Sequence, residues 1–279
     1  IDSEWGTPLD PEEFKKVLKE DTQKEIKAVI LTHSETSTGV INDLETISSY
    51  IREHKTALSI VDCVTSLGAC NVPIDKWQLD VVASGSQKGY MIPPGLSFIS
   101  MSLKAWKAAE KSNLPKFYLN LKSYQKSLSS NSNPYTPAVN LVFALDEALK
   151  MMREEGLDNI FLRHNKHKLA ISNAVKALNL KLFADEEYLS PSVTAIKTEG
   201  MDAEEFRKTI KNKFDILLAG GQDHLKGKIF RVGHLGYVND RDIITVVAAI
   251  GNVLLDLSKI TAQQAGEALD VVSKYLERN

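Results

Sequence analysis

The sequence predicts an α/β protein: a mostly parallel sheet with helices on both faces, then a small C-terminal α/β domain. Short, nearly continuous apolar runs alternate with helical patterns, as strands buried on both faces of a parallel sheet do. Polar clusters follow three of these runs, at His33 to Gly39, Asp62 to Gly68 and Ser84 to Lys88. Ligands of open α/β sheets bind beyond the carboxyl ends of the strands, so the three clusters point to one edge. Long helical patterns from Pro137 to Leu178, broken near Gly156, lead into a second set of strands and helices. They divide the chain into a large domain over residues 1–150 and a small one over 151–279.

Leu9-Asp10-Pro11-Glu12-Glu13-Phe14 starts a helix, with Asp10 as cap, Pro11 at the first helical position and Leu9 and Phe14 as a hydrophobic staple. Phe14, Val17 and Leu18 form its apolar face. Ala28 to Thr32 is a strand ending at His33. Asn42 is placed to cap the next helix, whose buried stripe is Leu44, Ile47 and Ile51. Residues 57–61, 79–83 and 96–101 read as further strands. In the second half, residues 191–197, 214–218 and 229–232 read as strands, and 203–210, 240–257 and 261–276 as helices. No internal repeat or low-complexity tract interrupts them.

The 279 residues are 43% apolar and 25% charged, with a formal net charge of −2. This is a globular composition with no basic or acidic excess to suggest a nucleic-acid partner. No apolar run reaches the length of a membrane span, and the N-terminus lacks the pattern of a signal peptide. Cys63 and Cys70 form no metal-spaced cluster and suit a reducing, cytoplasmic setting, with Cys63 packed in the core.

The chemistry centres on Ser84-Gly85-Ser86-Gln87-Lys88-Gly89-Tyr90-Met91-Ile92-Pro93-Pro94-Gly95, a polar crossing between two apolar runs. A lone lysine in such a loop is by default solvated. Held at a strand end and desolvated, it loses its proton more readily and becomes an imine-forming nucleophile. Asp62, at another strand end, suits the carboxylate that pairs with a pyridine nitrogen, although a helix cap or surface turn would also explain it. Arg231, in Ile229-Phe230-Arg231-Val232, either grips a substrate carboxylate with two parallel hydrogen bonds or points to water from an edge strand. Spacing assigns His33 no role.

Residues 33–40 (HSETSTGV), 61–68 (VDCVTSLG), 84–88 (SGSQK), 93–95 (PPG) and 227–233 (GKIFRVG) resemble, in order and in register, the motifs of class V aminotransferases. The similarity runs from about Trp5 to about Leu257 and is greatest to the alanine–glyoxylate, serine–glyoxylate and serine–pyruvate aminotransferases.

The resemblance implies a fold-type I pyridoxal 5'-phosphate enzyme acting as a homodimer on small amino acids and 2-oxo acids. Lys88 matches the Schiff-base lysine and Asp62 the partner of the pyridine nitrogen. Val64 would pack on a face of the ring, Thr36 would lie beside its oxygen edge, and Gln87 near its phosphate. Thr136 would reach the phosphate in the neighbouring subunit, and Arg231 would bind the substrate carboxylate. Some family members carry a phosphate-contacting tyrosine three residues before the threonine; Asn133 stands there, with Tyr135 nearby.

The family also carries roughly a hundred residues upstream, within ordinary domain sizes. They supply a phosphate loop, a ring-stacking aromatic and two strands, and Trp5 lies too far along the chain to be that aromatic. The expectation is therefore a fragment of a longer protein, with an incomplete sheet. Alternatives are 2-aminoethylphosphonate aminotransferase, a cysteine desulfurase-like lyase, whose branch usually has histidine where Gln87 stands, or an inactive fragment that retains only dimer contacts.

Overall fold

The computed structural model describes residues 1–277. Its first half runs α1 (Pro11–Glu20), β1 (Ala28–Thr32), a hairpin of β2 (Ser34–Glu35) and β3 (Val40–Ile41), α2 (Leu44–His54), β4 (Leu58–Asp62), the single turn α3 (Ile74–Trp77), β5 (Val81–Gly85) and β6 (Ser97–Met101). Helices α4 (Leu103–Glu110), α5 (Leu121–Leu128), α6 (Val139–Glu155) and α7 (Leu157–Ala177) follow. The last part is β7 (Lys181–Leu182), β8 (Val193–Lys197), α8 (Ala203–Phe214), β9 (Ala219–Gly220), β10 (Ile229–Gly233), α9 (Asp240–Asp256) and α10 (Ala262–Leu276).

The large sheet has the order β1-β4-β5-β6. β1, β4 and β5 are parallel, and β6 returns antiparallel to β5. Leu31, Val61 and Val82 stand in register on one face. There they join Phe14 and Leu18 of α1 and Leu44, Ile47 and Ile51 of α2 in a single core. On the opposite face Ile30 is 77% and Ile99 49% exposed. α1 is fixed by Asp10, whose carboxylate accepts the Glu12 N–H, and by Pro11 at its start.

The second sheet has the order β7-β8-β10-β9 and is antiparallel throughout. Its core packs β8 and β10 against α7, α8, α9 and α10, with the Phe206 and Phe230 rings stacked 5.1 Å apart. Helices α9 and α10 each begin with a capping box, Asn239 with Asp242 and Thr261 with Gln264.

The two sheets meet along a seam of small polar residues. Ser34 and Ser190 hydroxyls lie 2.8 Å apart, Ser192 donates to the Thr65 carbonyl at 2.6 Å, and the Ser190 N–H bonds the Gly39 carbonyl.

Four local expectations change. Asp43, not Asn42, caps α2, through Oδ1 on the Thr46 N–H. Asn42 instead receives the Leu9 N–H and donates to the Thr32 carbonyl, tying the entry of α1 to the end of β1. The apolar run 214–218 is no strand: α8 continues through Phe214, Asp215 closes it at φ 56°, and only Ala219 and Gly220 pair with β10. Val17 is 41% exposed, so Phe14 and Leu18 alone form the buried face of α1. Helices α4 and α5 were not expected, because they bury little beyond Ala105 and leave Leu103 at 80% and Leu128 at 73% exposure.

At the opposite end of the large sheet, buried Asp80 joins three elements. Its carboxylate accepts the Ser59 N–H at 3.1 Å and the Ser102 hydroxyl at 2.7 Å, and faces Lys104 Nζ at 3.3 Å. Its own N–H bonds Ser59 Oγ at 2.8 Å. Truncation leaves buried donors unpaired, so Asp80→Ala is expected to lower unfolding stability by about 2–4 kcal/mol in urea titrations.

Candidate active site

The carboxyl ends of β1, β4 and β5 lie side by side and continue hydrogen bonding beyond the strands. The His33 N–H bonds the Asp62 carbonyl at 2.9 Å, and the Cys63 N–H bonds the Ala83 carbonyl at 2.8 Å. The parallel ladder thus brings the three polar clusters to one edge.

Asp62, exposed at the end of β4, accepts the Val64 N–H at 2.8 Å, a local turn that holds one carboxylate oxygen and leaves the other open. Val64 is half-buried beside it. The turn continues to Thr65, whose hydroxyl lies 2.6 Å from that of Thr36 in the β2–β3 hairpin. Cys63 beneath is fully buried, and burial pushes its thiol up to about 11, which fits a packing role.

Lys88 sits in the turn after β5, half-buried, and its amine makes no hydrogen bond among the described residues. Burial is the first cause of its lowered pKa and the positive charge of Arg231 the second, against the opposing pull of Asp62 and Glu35. The turn is pressed onto the one after Asp62. A Cβ on Gly89 would stand 2.5 Å from the Leu67 carbonyl oxygen, so glycine alone permits this approach.

Arg231 is buried in β10, which runs between β8 and β9, so the water-facing edge-strand reading is excluded. Its Nε donates to the Gly220 carbonyl at 2.8 Å and Nη1 to the Thr36 carbonyl at 2.7 Å. Nη2 remains uncommitted among the described contacts. Burial lowers the guanidinium pKa, and Glu35 counters it.

The structure therefore gathers Lys88, Asp62, Val64, Thr36 and Arg231. Gln87 is exposed in the same turn. Thr136 is exposed on the loop between α5 and α6, outside the hydrogen bonds that gather the others. Tyr135, next to it, packs its ring among Phe117, Tyr118 and Tyr124 and donates to the Phe117 carbonyl at 3.0 Å.

Two residues of this cluster were not singled out from sequence. Glu35 faces both Lys88 and Arg231, its Oε1 held by the N–H and hydroxyl of Ser37. Thr65 pairs with Thr36. Both lie inside motifs already noticed, but their partners are remote in the chain and spacing does not reveal them.

An uncommitted amine, an open carboxylate, a hydroxyl pair and a free guanidinium nitrogen fit pyridoxal phosphate, which needs an amine for its aldehyde and a carboxylate for its ring nitrogen. Among the described residues no group of three or more His, Cys, Asp or Glu side chains is placed to hold a metal ion. No described helix is long and apolar enough to cross a membrane.

Residues 4–237 match the family model described as aminotransferase class-V. The chain is 60% identical to the soluble hydrogenase 42 kDa subunit of Anabaena cylindrica over 92% of its own length and 67% of that protein. It is 36% identical to the serine–glyoxylate aminotransferase of Methylorubrum extorquens, covering 100% of this chain and 71% of that one. The crystal structure of ureidoglycine–glyoxylate aminotransferase from Bacillus subtilis superposes with a TM-score of 0.90 at 33% identity, over 98% of this chain and 71% of that one.

His33 is buried, with Nδ1 3.0 Å from Ser66 Oγ, and burial brings its pKa down to about 4. The unfolded chain takes up a proton near the ordinary value while the folded one resists it. This part of the stability is present above about 6.5 and is lost as pH falls toward 4. Titration by NMR is expected to show a neutral His33 ring at about pH 5.5, and His33→Asn to flatten the loss of stability between about pH 6.5 and 4.

Proposed function

This chain belongs to the class-V aminotransferases, a pyridoxal phosphate-dependent family, and from that premise we propose that it transfers the amino group of serine or alanine to glyoxylate or pyruvate. One observation carries the assignment of roles: a half-buried lysine amine with no hydrogen bond among the described residues, facing the charges of Asp62 and Arg231. The substrate class follows the relatives named for glyoxylate transamination.

In this reading Lys88 would hold the cofactor through its aldehyde, and Asp62 would pair with its ring nitrogen and keep that nitrogen protonated. The bound cofactor supplies a ring that accepts the electron pair left when the donor loses its α-proton. Once the donor's amine has replaced it on the aldehyde, the freed Lys88 Nζ would take that proton as general base, and its lowered pKa favours the neutral amine for the purpose. Arg231 holds the substrate carboxylate through Nη2, while its other nitrogens, bound to Gly220 and Thr36, keep the guanidinium plane fixed. Val64 packs on the ring, Thr36 binds its oxygen edge with Thr65 behind it, and Gln87 lies toward the phosphate.

Residues 1–150 form the cofactor domain and 151–279 the small domain. The protein acts as a homodimer in the cytoplasm. Leu114, Phe117, Leu119, Leu128 and Phe143, all exposed in the stretch of chain that contains Thr136, support the dimer, in which Thr136 would reach the partner's phosphate. The 60% identity to the Anabaena protein favours one second reading, a soluble hydrogenase subunit. Hydrogen-uptake assays beside a donor and acceptor panel decide between the two.

Lys88→Ala is expected to abolish both turnover and the visible absorbance that pyridoxal phosphate acquires on binding; a variant that still transaminates would sink the assignment. Arg231→Lys keeps the charge but loses the fork. It is expected to cut kcat/KM for the amino donor about 10- to 100-fold, measured by steady-state kinetics.

A further inference from the structure

The Lys88 turn is held on a second side by a segment that lies outside the roles assigned above. After β10 the chain turns through His234, Leu235, Gly236 and Tyr237, and Gly236 abuts the turn. A Cβ there would stand 3.1 Å from Met91 Cγ and 3.4 Å from the Lys88 carbonyl oxygen, and Gly236 has φ +75°. The Met91 N–H bonds that same carbonyl at 3.0 Å and closes the lysine's turn. The lysine's turn thus abuts Leu67 and Gly68 through Gly89, and Gly236 through Met91 and the Lys88 carbonyl.

Gly236 is itself fixed by helix α7. Arg163 Nη1 donates to the carbonyls of Gly236 at 2.9 Å and Val238 at 3.0 Å. Its Nε and Nη2 grip both carboxylate oxygens of Glu155, the last residue of α6, at 2.6 and 2.9 Å. From the next position His164 Nε2 accepts the Gly236 N–H at 3.1 Å, and its Nδ1–H bonds the Ile160 carbonyl at 2.7 Å. One guanidinium therefore ties together the end of α6, α7 and both carbonyls of the segment behind the lysine. A lysine at position 163 could not make all of these bonds, because only a planar fork presents donors in several fixed directions.

We propose that Arg163 is a positioning residue for Lys88. Through Gly236 it holds the backbone of the lysine's turn against the cofactor edge, and it touches neither substrate nor cofactor. The proposal rests on the role given to Lys88 above. It goes further by placing the control of that amine in the α6–α7 junction. Loosening Gly236 admits water to the turn. Burial is the leading cause that keeps Lys88 easy to deprotonate, with Arg231, Asp62 and Glu35 as the charged groups facing it.

The test uses Arg163→Met, Arg163→Lys and the milder Glu155→Gln, with Asp80→Ala as a destabilised control at the far end of the sheet. In cofactor-free protein, the pH midpoint for acylation of Lys88 is read by mass spectrometry. The midpoint is expected to rise by about half a unit or more in Arg163→Met, less in Arg163→Lys and Glu155→Gln, and not at all in Asp80→Ala. In the cofactor-loaded full-length enzyme, kcat is expected to fall about tenfold in Arg163→Met, with KM changed less than about twofold. An unchanged midpoint in folded Arg163→Met and Glu155→Gln, or an equal rise in Asp80→Ala, overturns the proposal. The labelling needs no cofactor, so it reads the clamp separately from the aminotransferase assignment, which the cofactor absorbance of the parent protein tests.

Discussion

The hydrogen-bond register of three parallel strands decides where everything else in the site can be. Thr32, Asp62 and Ala83 stand abreast, and one residue further on the ladder still holds, His33 on Asp62 and Cys63 on Ala83. Side chains alternate across a sheet, so a slip of one residue would turn Asp62 to the α1–α2 face and bring Val61 out in its place. The apolar column Leu31, Val61 and Val82 prevents that slip, because exposing it would forfeit the core packed on Phe14, Leu44 and Ile47. Burial on one face thus sets the aim of a carboxylate on the other.

The small sheet meets this edge through Arg231. A buried guanidinium needs partners for its donors, and two of them are backbone carbonyls from widely separated stretches, Gly220 and Thr36. Glu35 adds a countercharge without a direct bond to it. The central position of β10 makes this possible, since an edge strand would have left the side chain in water. The same positive charge helps lower the pKa of the lysine amine, so carboxylate recognition and lysine basicity are linked by simple repulsion.

Much of this was legible in the sequence because local patterns encode it. β1 falls on the stretch expected, and the α6–α7 break falls at Gly156, which adopts φ +84°. Lys88, Asp62 and Arg231 stood out because each is a charged residue against an apolar run. What stayed hidden depends on contacts between distant segments. Glu35 and Thr65 gain their meaning only from Arg231 and Thr36, and Asn42 is drawn from capping by Leu9 and Thr32. The stretch 214–218 has the composition of a strand, yet α8 takes Phe214 and, among the described residues, pairing with β10 begins only at Ala219. Helices α4 and α5 escaped notice because, Ala105 apart, they present no buried apolar stripe, and periodicity reports burial before it reports helix.

The seam of serines between the two sheets has a consequence of its own. Ser34 with Ser190 and Ser192 with the Thr65 carbonyl are neutral, short-armed contacts between buried groups, so a bond lost there leaves a hydroxyl unpaired. An apolar seam would resist every shear by the surface it exposed. A hydroxyl seam adds direction, because each bond holds only where its donor meets its acceptor. The junction is therefore keyed to one alignment of the two sheets, which a purely apolar contact of the same area would not single out.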